Sequence, residues 1–178
     1  KVKSAEALPA ALADAAAYDR KVIVEEAVEG REVECAVLGN DDPEASVVGE
    51  IVPCHEFYDY SAKYLEDGSE LIIPARISRE QAESVRALSI AAFKALEGAG
   101  MARADFFVRH SDGRVLVNEL NTIPGFTPIS MYPRLWEATG VGFATLVDRL
   151  VELALERHRE KQELKRDFAP GQEAPSGR

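Results

Sequence analysis

The stretch Ala102-Arg-Ala-Asp-Phe-Phe-Val-Arg-His-Ser-Asp-Gly-Arg-Val-Leu-Val-Asn-Glu-Leu-Asn121 reads as two strands, 102–109 and 114–121, folded back on each other at Ser111-Asp-Gly113. A three-residue hairpin loop pairs a type I turn with a residue in the left-handed region, and Gly113 suits that slot. His110 then faces Arg114, Asp105 stands across from Glu119, and Arg103 across from Asn121. Strand alternation sends these last four to one face, while Ala102, Ala104, Phe106, Val108, Leu116 and Leu120 make the other face apolar. Opposed carboxylates sit about 5 Å apart at Cβ and repel unless something positive lies between them. A hard cation with oxygen ligands is the simplest remedy, and the amide oxygen of Asn121 is one rung away. The plainer reading is a solvated polar strand face, and on the hairpin alone the two carry equal weight.

Outward from the hairpin, the patterns predict an α+β fold with a largely antiparallel sheet flanked by helices. Strands are expected at 21–25, at 31–38 (where Val33, Cys35 and Val37 alternate with Glu32 and Glu34), through Val47–Ile51, and at 71–74. Glu29 and Gly30 separate the first two, and Asn40-Asp-Asp-Pro43 is a turn. Helices are expected over 5–17 and 79–97. The second has a Ser78/Gln81 capping box, an apolar stripe of Val85, Leu88, Ala92 and Leu96, and an end at Gly98 and Gly100. Two more follow near 133–139 and from about 143, the latter burying Phe143, Leu146, Val147, Leu150 and Val151. Residues 1–165 read as one domain and 166–178 as a disordered tail. The aromatic stretch 55–70 has neither period and reads as a functional loop.

Composition narrows the partners. A formal charge of −10 without a basic block argues against nucleic acid. No apolar run approaches the roughly 20 residues that span a bilayer, which argues against the membrane. Cys35 and Cys54 lack zinc or disulfide spacing and read as buried thiols, in keeping with the cytoplasm. His55, His110 and His158 are isolated, and no covalent nucleophile stands out.

Three segments, Tyr58-Asp-Tyr-Ser-Ala-Lys-Tyr64, Arg103-Ala-Asp105 and Glu119-Leu-Asn-Thr-Ile-Pro-Gly-Phe-Thr127, resemble in order and spacing the signatures of D-alanine–D-alanine ligases, members of the ATP-grasp superfamily. The resemblance runs from about residue 1 to 155. It implies an ATP-grasp carboxyl-terminal domain that is incomplete on its amino-terminal side. It also implies two magnesium ions, for which manganese can substitute, on Asp105, Glu119 and Asn121, with Glu119 bridging and Arg103 steadying the transferred phosphate. Glu25, Ala27 and Val28 would take the adenine of ATP, and Glu32 its ribose. Lys63 would approach the phosphates and Tyr64 the second substrate. The N–H of Gly125 would join an oxyanion site, and Ser130 would hold the carboxylate of the second D-alanine. The implied reaction makes D-alanyl-D-alanine through an acyl phosphate, for peptidoglycan precursors, in a homodimer when full length. The family's amino-terminal domain and central lysine-bearing segment have no counterpart here, so this chain alone is expected to be inactive. A ligase with a different acceptor and a non-catalytic nucleotide-binding module remain as alternatives.

Overall fold

The computed structural model describes residues 1–53 and 69–164. After a short helical turn (Ala5–Ala7) come α1 (Leu8–Ala16), β1 (Gly30–Gly39), β2 (Glu44–Pro53), β3 (Ser69–Ile72), α2 (Arg79–Ala95), β4 (Gly100–Arg109), β5 (Val115–Asn121), α3 (Met131–Ala138) and α4 (Phe143–Glu163). The five strands form one sheet in the order β3-β2-β1-β4-β5, with every pair antiparallel. This is the expected α+β arrangement.

Period-two alternation gives β1 and β4 two faces. Val33, Cys35, Ala104, Phe106 and Val108 point to one and pack with Val85 of α2, and Val37 and Ala102 enclose Phe93 on the same side. Ala36, Leu38 and Met101 point to the other and pack beneath Tyr132, Leu135 and Trp136 of α3 and Leu146 of α4. Burying each such Leu or Phe stabilises the fold by about 1.5–3 kcal/mol. The Tyr132 hydroxyl donates to the Val37 carbonyl at 2.9 Å, so this large polar tip is satisfied inside the core. Cys35 is a buried free thiol, and burial pushes its pKa up, as expected of an inert position. Cys54 lies outside the described residues.

Helix α2 starts as the capping box predicts. The Ser78 hydroxyl accepts from the Gln81 N–H, and the Gln81 side chain accepts from the Ser78 N–H. Its end differs, since Glu97 and not a glycine takes the left-handed conformation (φ 52°). The Gly98 N–H reaches back to the Phe93 carbonyl at 2.9 Å. The buried stripe is Val85, Ser89 and Phe93, and Leu96 is exposed. In α4 the sheet takes Leu146, with Leu150 and Leu153 packed against the same cluster. Val147 and Val151, expected inside, are exposed, and Phe143 is half exposed with its ring against Phe126. A helix with a wide apolar sector can be docked on either edge of it, and the neighbouring layer decides which.

The strand expected at 21–25 does not form. Residues 21–29 run without regular pairing among the described residues, and Ile23 and Val24 are 70% and 68% exposed. Pairing resumes at Gly30, opposite Arg109. A Cβ at Gly30 would come within 2.6 Å of the Val108 carbonyl oxygen, which is backbone and cannot rotate away. Gly30→Ala is therefore expected to cost about 1–3 kcal/mol by forcing β1 from β4. A denaturant midpoint that did not move would show that the strands tolerate the side chain.

Candidate functional site

The turn that folds β5 onto β4 is one residue longer than the expected hairpin loop. The Arg109 N–H pairs with the Arg114 carbonyl at 3.0 Å, and Gly113 sits at φ 70° as anticipated. Asp112 accepts from the Arg109 guanidinium and the Arg114 N–H, which hold its carboxyl down at about 2. Near the tip, Phe106 faces Val117 and Val108 faces Val115, so His110 does not face Arg114. A bulge then lets Asn118 drop out of register. Beyond it Asp105 faces Glu119 and Arg103 faces Asn121, as expected. The longer turn and the bulge offset each other on the rungs that carry the polar groups.

Those rungs lie on the sheet face that α3 and α4 cover only at its other end. The pairing of β1 with β4 places Glu34 opposite Asp105, so Glu34, Asp105 and Glu119 form one row across three strands. Glu32, Glu34, Arg103, Asp105, Phe107, Asn118 and Glu119 line the open cleft above it. Arg103 is wedged into this row. Its Nε and Nη2 each donate to an Asp105 carboxylate oxygen at 2.8 Å, and Nε lies 3.1 Å from Glu34 Oε2. Burial works against the Arg103 charge, but the Asp105 hydrogen bonds and the charges of Glu34, Asp105 and Glu119 overcome it and raise its pKa. The guanidinium is thus a permanent, oriented positive charge.

Four carboxylates (Glu32, Glu34, Asp105 and Glu119) against one guanidinium leave a surplus of negative charge in the cleft. Together with Asn121, the donors are all oxygen, the chemistry of magnesium or manganese and not of a thiolate metal. Asn121 Oδ1 accepts the Ile123 N–H at 3.2 Å, which orients the amide and leaves its oxygen a second lone pair. Among the described residues, no three His, Cys, Asp or Glu side chains converge as a ready metal cage. The facing pair supplies two carboxylates, Asp105 and Glu119, with Asn121 as a third oxygen donor, and Arg103 donates to both oxygens of Asp105. A cation fits this donor set once the guanidinium gives way.

The loop after β5 brings two further expected residues together. Pro124 is buried, and Phe126 packs against Tyr132 and Phe143 at centroid distances of 5.9 and 5.3 Å. Gly125 lies so close to Ser130 that a Cβ would be 3.0 Å from its hydroxyl. Ser130 occupies the cap position of α3, yet its Oγ accepts from the Thr127 N–H at 3.0 Å and bonds the Thr127 hydroxyl at 2.8 Å. That hydroxyl is held at the loop mouth and does not close the helix.

On the far side of β4, the segment carrying Glu25, Ala27 and Val28 is tethered at its end. The His110 N–H donates to the Glu29 carbonyl at 2.9 Å, and Arg109 lies 3.8 Å from Glu26. Glu25 and Ala27 are exposed and Val28 is half-buried. Among the described residues, no main-chain hydrogen bond engages Ala27 or Val28. Glu32 reaches the cleft from β1. Lys63 and Tyr64 lie outside the described residues. Sequence reasoning missed Glu34, Phe107 and Asn118 as lining residues. In the sequence Glu34 is only the polar half of an alternating strand, since a β1–β4 pairing leaves no local signal.

Residues 1–152 match the family model described as "D-ala D-ala ligase C-terminus". The D-alanine–D-alanine ligase of Geobacillus thermodenitrificans is 56% identical over 162 residues, which cover 91% of this chain and 44% of that protein. Among solved structures, the D-alanine-D-alanine ligase from Coxiella burnetii superposes with a TM-score of 0.80 at 42% identity, covering 91% of this chain and 42% of its own. The Bacillus anthracis ligase complexed with ATP gives 0.73 at 29% identity, covering 90% and 51%. The chain thus spans about half the length of these relatives or less. With five antiparallel strands between helical layers and a match over most of its length, the chain belongs to the D-alanine–D-alanine ligase carboxyl-terminal family and carries its ATP-grasp fold.

Proposed function

We propose that this chain provides the ATP-, magnesium- and second-substrate-binding part of an enzyme that joins two D-alanine molecules, for peptidoglycan precursors in the cytoplasm. The observation that carries this reading is the direct opposition of Asp105 and Glu119 on an open sheet face, with Arg103 and Asn121 opposed one rung away. Asp105, Glu119 and Asn121 would hold two magnesium ions, with Glu119 between them. When bound, the ions would screen the triphosphate and draw negative charge from the phosphoryl group in flight.

A carboxylate is a poor electrophile, so the first D-alanine attacks the γ-phosphorus of ATP, giving an acyl phosphate and ADP. The amine of the second D-alanine then adds to the carbonyl carbon, and phosphate departs as the amide forms. Positioning and charge stabilisation supply most of the acceleration in such transfers. Arg103 would turn its fixed charge to the transferred phosphoryl oxygens. The Gly125 N–H would donate to the developing oxyanion, and the Ser130 hydroxyl to the carboxylate of the second D-alanine. Glu25 would accept from the adenine amino group, the main chain of Ala27 and Val28 would complete that contact, and Glu32 would accept from the ribose hydroxyls. The Bacillus anthracis relative solved with ATP supports the nucleotide assignment.

Lys63 and Tyr64 complete the reading at the phosphates and the second substrate. Tyr64→Phe is expected to change the ratio of kcat/KM between D-alanine and competing acceptors by about 10-fold. The ATP KM should stay within about 2-fold; a selective loss of ATP affinity would place the tyrosine at the nucleotide. The function itself is tested by phosphate release from ATP in the full-length protein containing residues 1–178. Release that requires both D-alanine and a divalent cation is expected, with no turnover by residues 1–178 alone. Release indifferent to D-alanine would refute the reading.

A further inference from the structure

Arg103 stands between two carboxylates, and only one of them belongs to the proposed cation site. Asp105 holds the guanidinium by two hydrogen bonds of 2.8 Å, while Glu34 Oε2 lies 3.1 Å from the same Nε. Glu34 is only 4% exposed, and glutamates that deep in a fold are kept where a positive partner faces them. It lies one strand beyond Asp105, which puts about two strand spacings, roughly 10 Å, between the backbones of Glu34 and Glu119. With Arg103 filling the gap, Glu34 is poorly placed to share a cation with Glu119.

A cation between Asp105 and Glu119 needs oxygens that the Arg103 fork now covers. It also repels the guanidinium. The Arg103 side chain is 17% exposed, so escape to solvent would require leaving a largely buried position. The Glu34 carboxylate already lies beside Nε and needs no large movement to become the main partner. Resting on the cation reading above, we infer that Glu34 is a positioning residue: it takes over the Arg103 guanidinium from Asp105 when a divalent cation enters, freeing Asp105 to ligate and holding Arg103 in the cleft. No covalent bond changes in this exchange, and the net charge of the Glu34–Arg103–Asp105 group is conserved.

The test is Mn²⁺ binding to the full-length protein, followed by the EPR signal of free Mn²⁺, in a double-mutant cycle of Glu34→Gln and Arg103→Met. With Arg103 present, Glu34→Gln is expected to weaken Mn²⁺ binding about 30-fold, because Arg103 then stays on Asp105. In the Arg103→Met background the same change should cost about 3-fold or less, the loss of a nearby charge. Glu34→Asp keeps the charge and should restore binding to within about 3-fold of the parent, which separates the proposed role from simple packing. Equal losses in both backgrounds would make Glu34 a direct ligand and overturn the inference, as would no loss in either. No saturable Mn²⁺ binding by the parent protein would instead overturn the cation reading itself, and with it the exchange.

Discussion

Glu119→Gln is expected to lower D-alanine-dependent phosphate release by the full-length protein about 10³-fold, the scale on which a preorganised electrostatic contact is lost from a reaction centre. The substituted amide keeps the size and one oxygen of the native side chain but removes the charge that Glu119 sets opposite Asp105. The side chain is exposed at the cleft and supports no buried layer, so stability should change by less than about 0.5 kcal/mol. Activity and folding therefore separate cleanly in this variant. Near-normal turnover with an unchanged magnesium dependence would show that Glu119 does not bear on the cations.

The second large effect concerns stability and lies on the opposite side of the sheet. Glu50 on β2 is 2% exposed and accepts from Arg31 at 2.7 Å, from the Arg76 main chain at 3.0 Å and from the Arg76 guanidinium at 3.1 and 3.2 Å. Burial alone would raise its carboxyl. The Arg76 side-chain and main-chain hydrogen bonds, with those of Arg31, overcome burial and bring it from the ordinary 4.5 to about 2. A depressed folded-state pKa stabilises the fold above the unfolded value and ceases to do so as pH falls through the folded one. Glu50 should thus contribute about 3 kcal/mol near neutral pH, and this should drain away between pH 4.5 and about 2. Glu50→Gln should remove most of that acid-side slope and lower stability at pH 7 by about 2–3 kcal/mol. Denaturant unfolding at pH 7 and pH 3 measures both. Parallel pH profiles for the two proteins would show that another carboxyl governs acid unfolding.

The contrast between these residues shows what local sequence carries. Alternation along one hairpin suffices to set Arg103, Asp105, Glu119 and Asn121 on a shared face, because the turn keeps their partners within about 20 residues. It does so despite a turn one residue longer than expected, since the bulge at Asn118 restores the register. No residue type announces that bulge. Glu34 depends on the pairing of β1 with the distant β4, and Glu50 on Arg76, which reaches it from the segment before α2, so neither environment can be read from one strand alone. In α4 the apolar period is clear, but whether Leu146 or Val147 turns inward depends on the sheet beneath. Lys21-Val-Ile-Val-Glu25 has strand composition, yet composition cannot supply a partner, and the described residues contain none for it.

If Asp105 and Glu119 share divalent cations with a nucleotide, anomalous scattering from Mn²⁺ in crystals of the full-length protein with a non-hydrolysable ATP analogue will show it. Peaks about 2 Å from the carboxylate oxygens of Asp105 and Glu119, bridging them to the phosphates, are the predicted result. Manganese bound to the triphosphate without either carboxylate, or Arg103 still forked onto both Asp105 oxygens beside an ordered analogue, would contradict it.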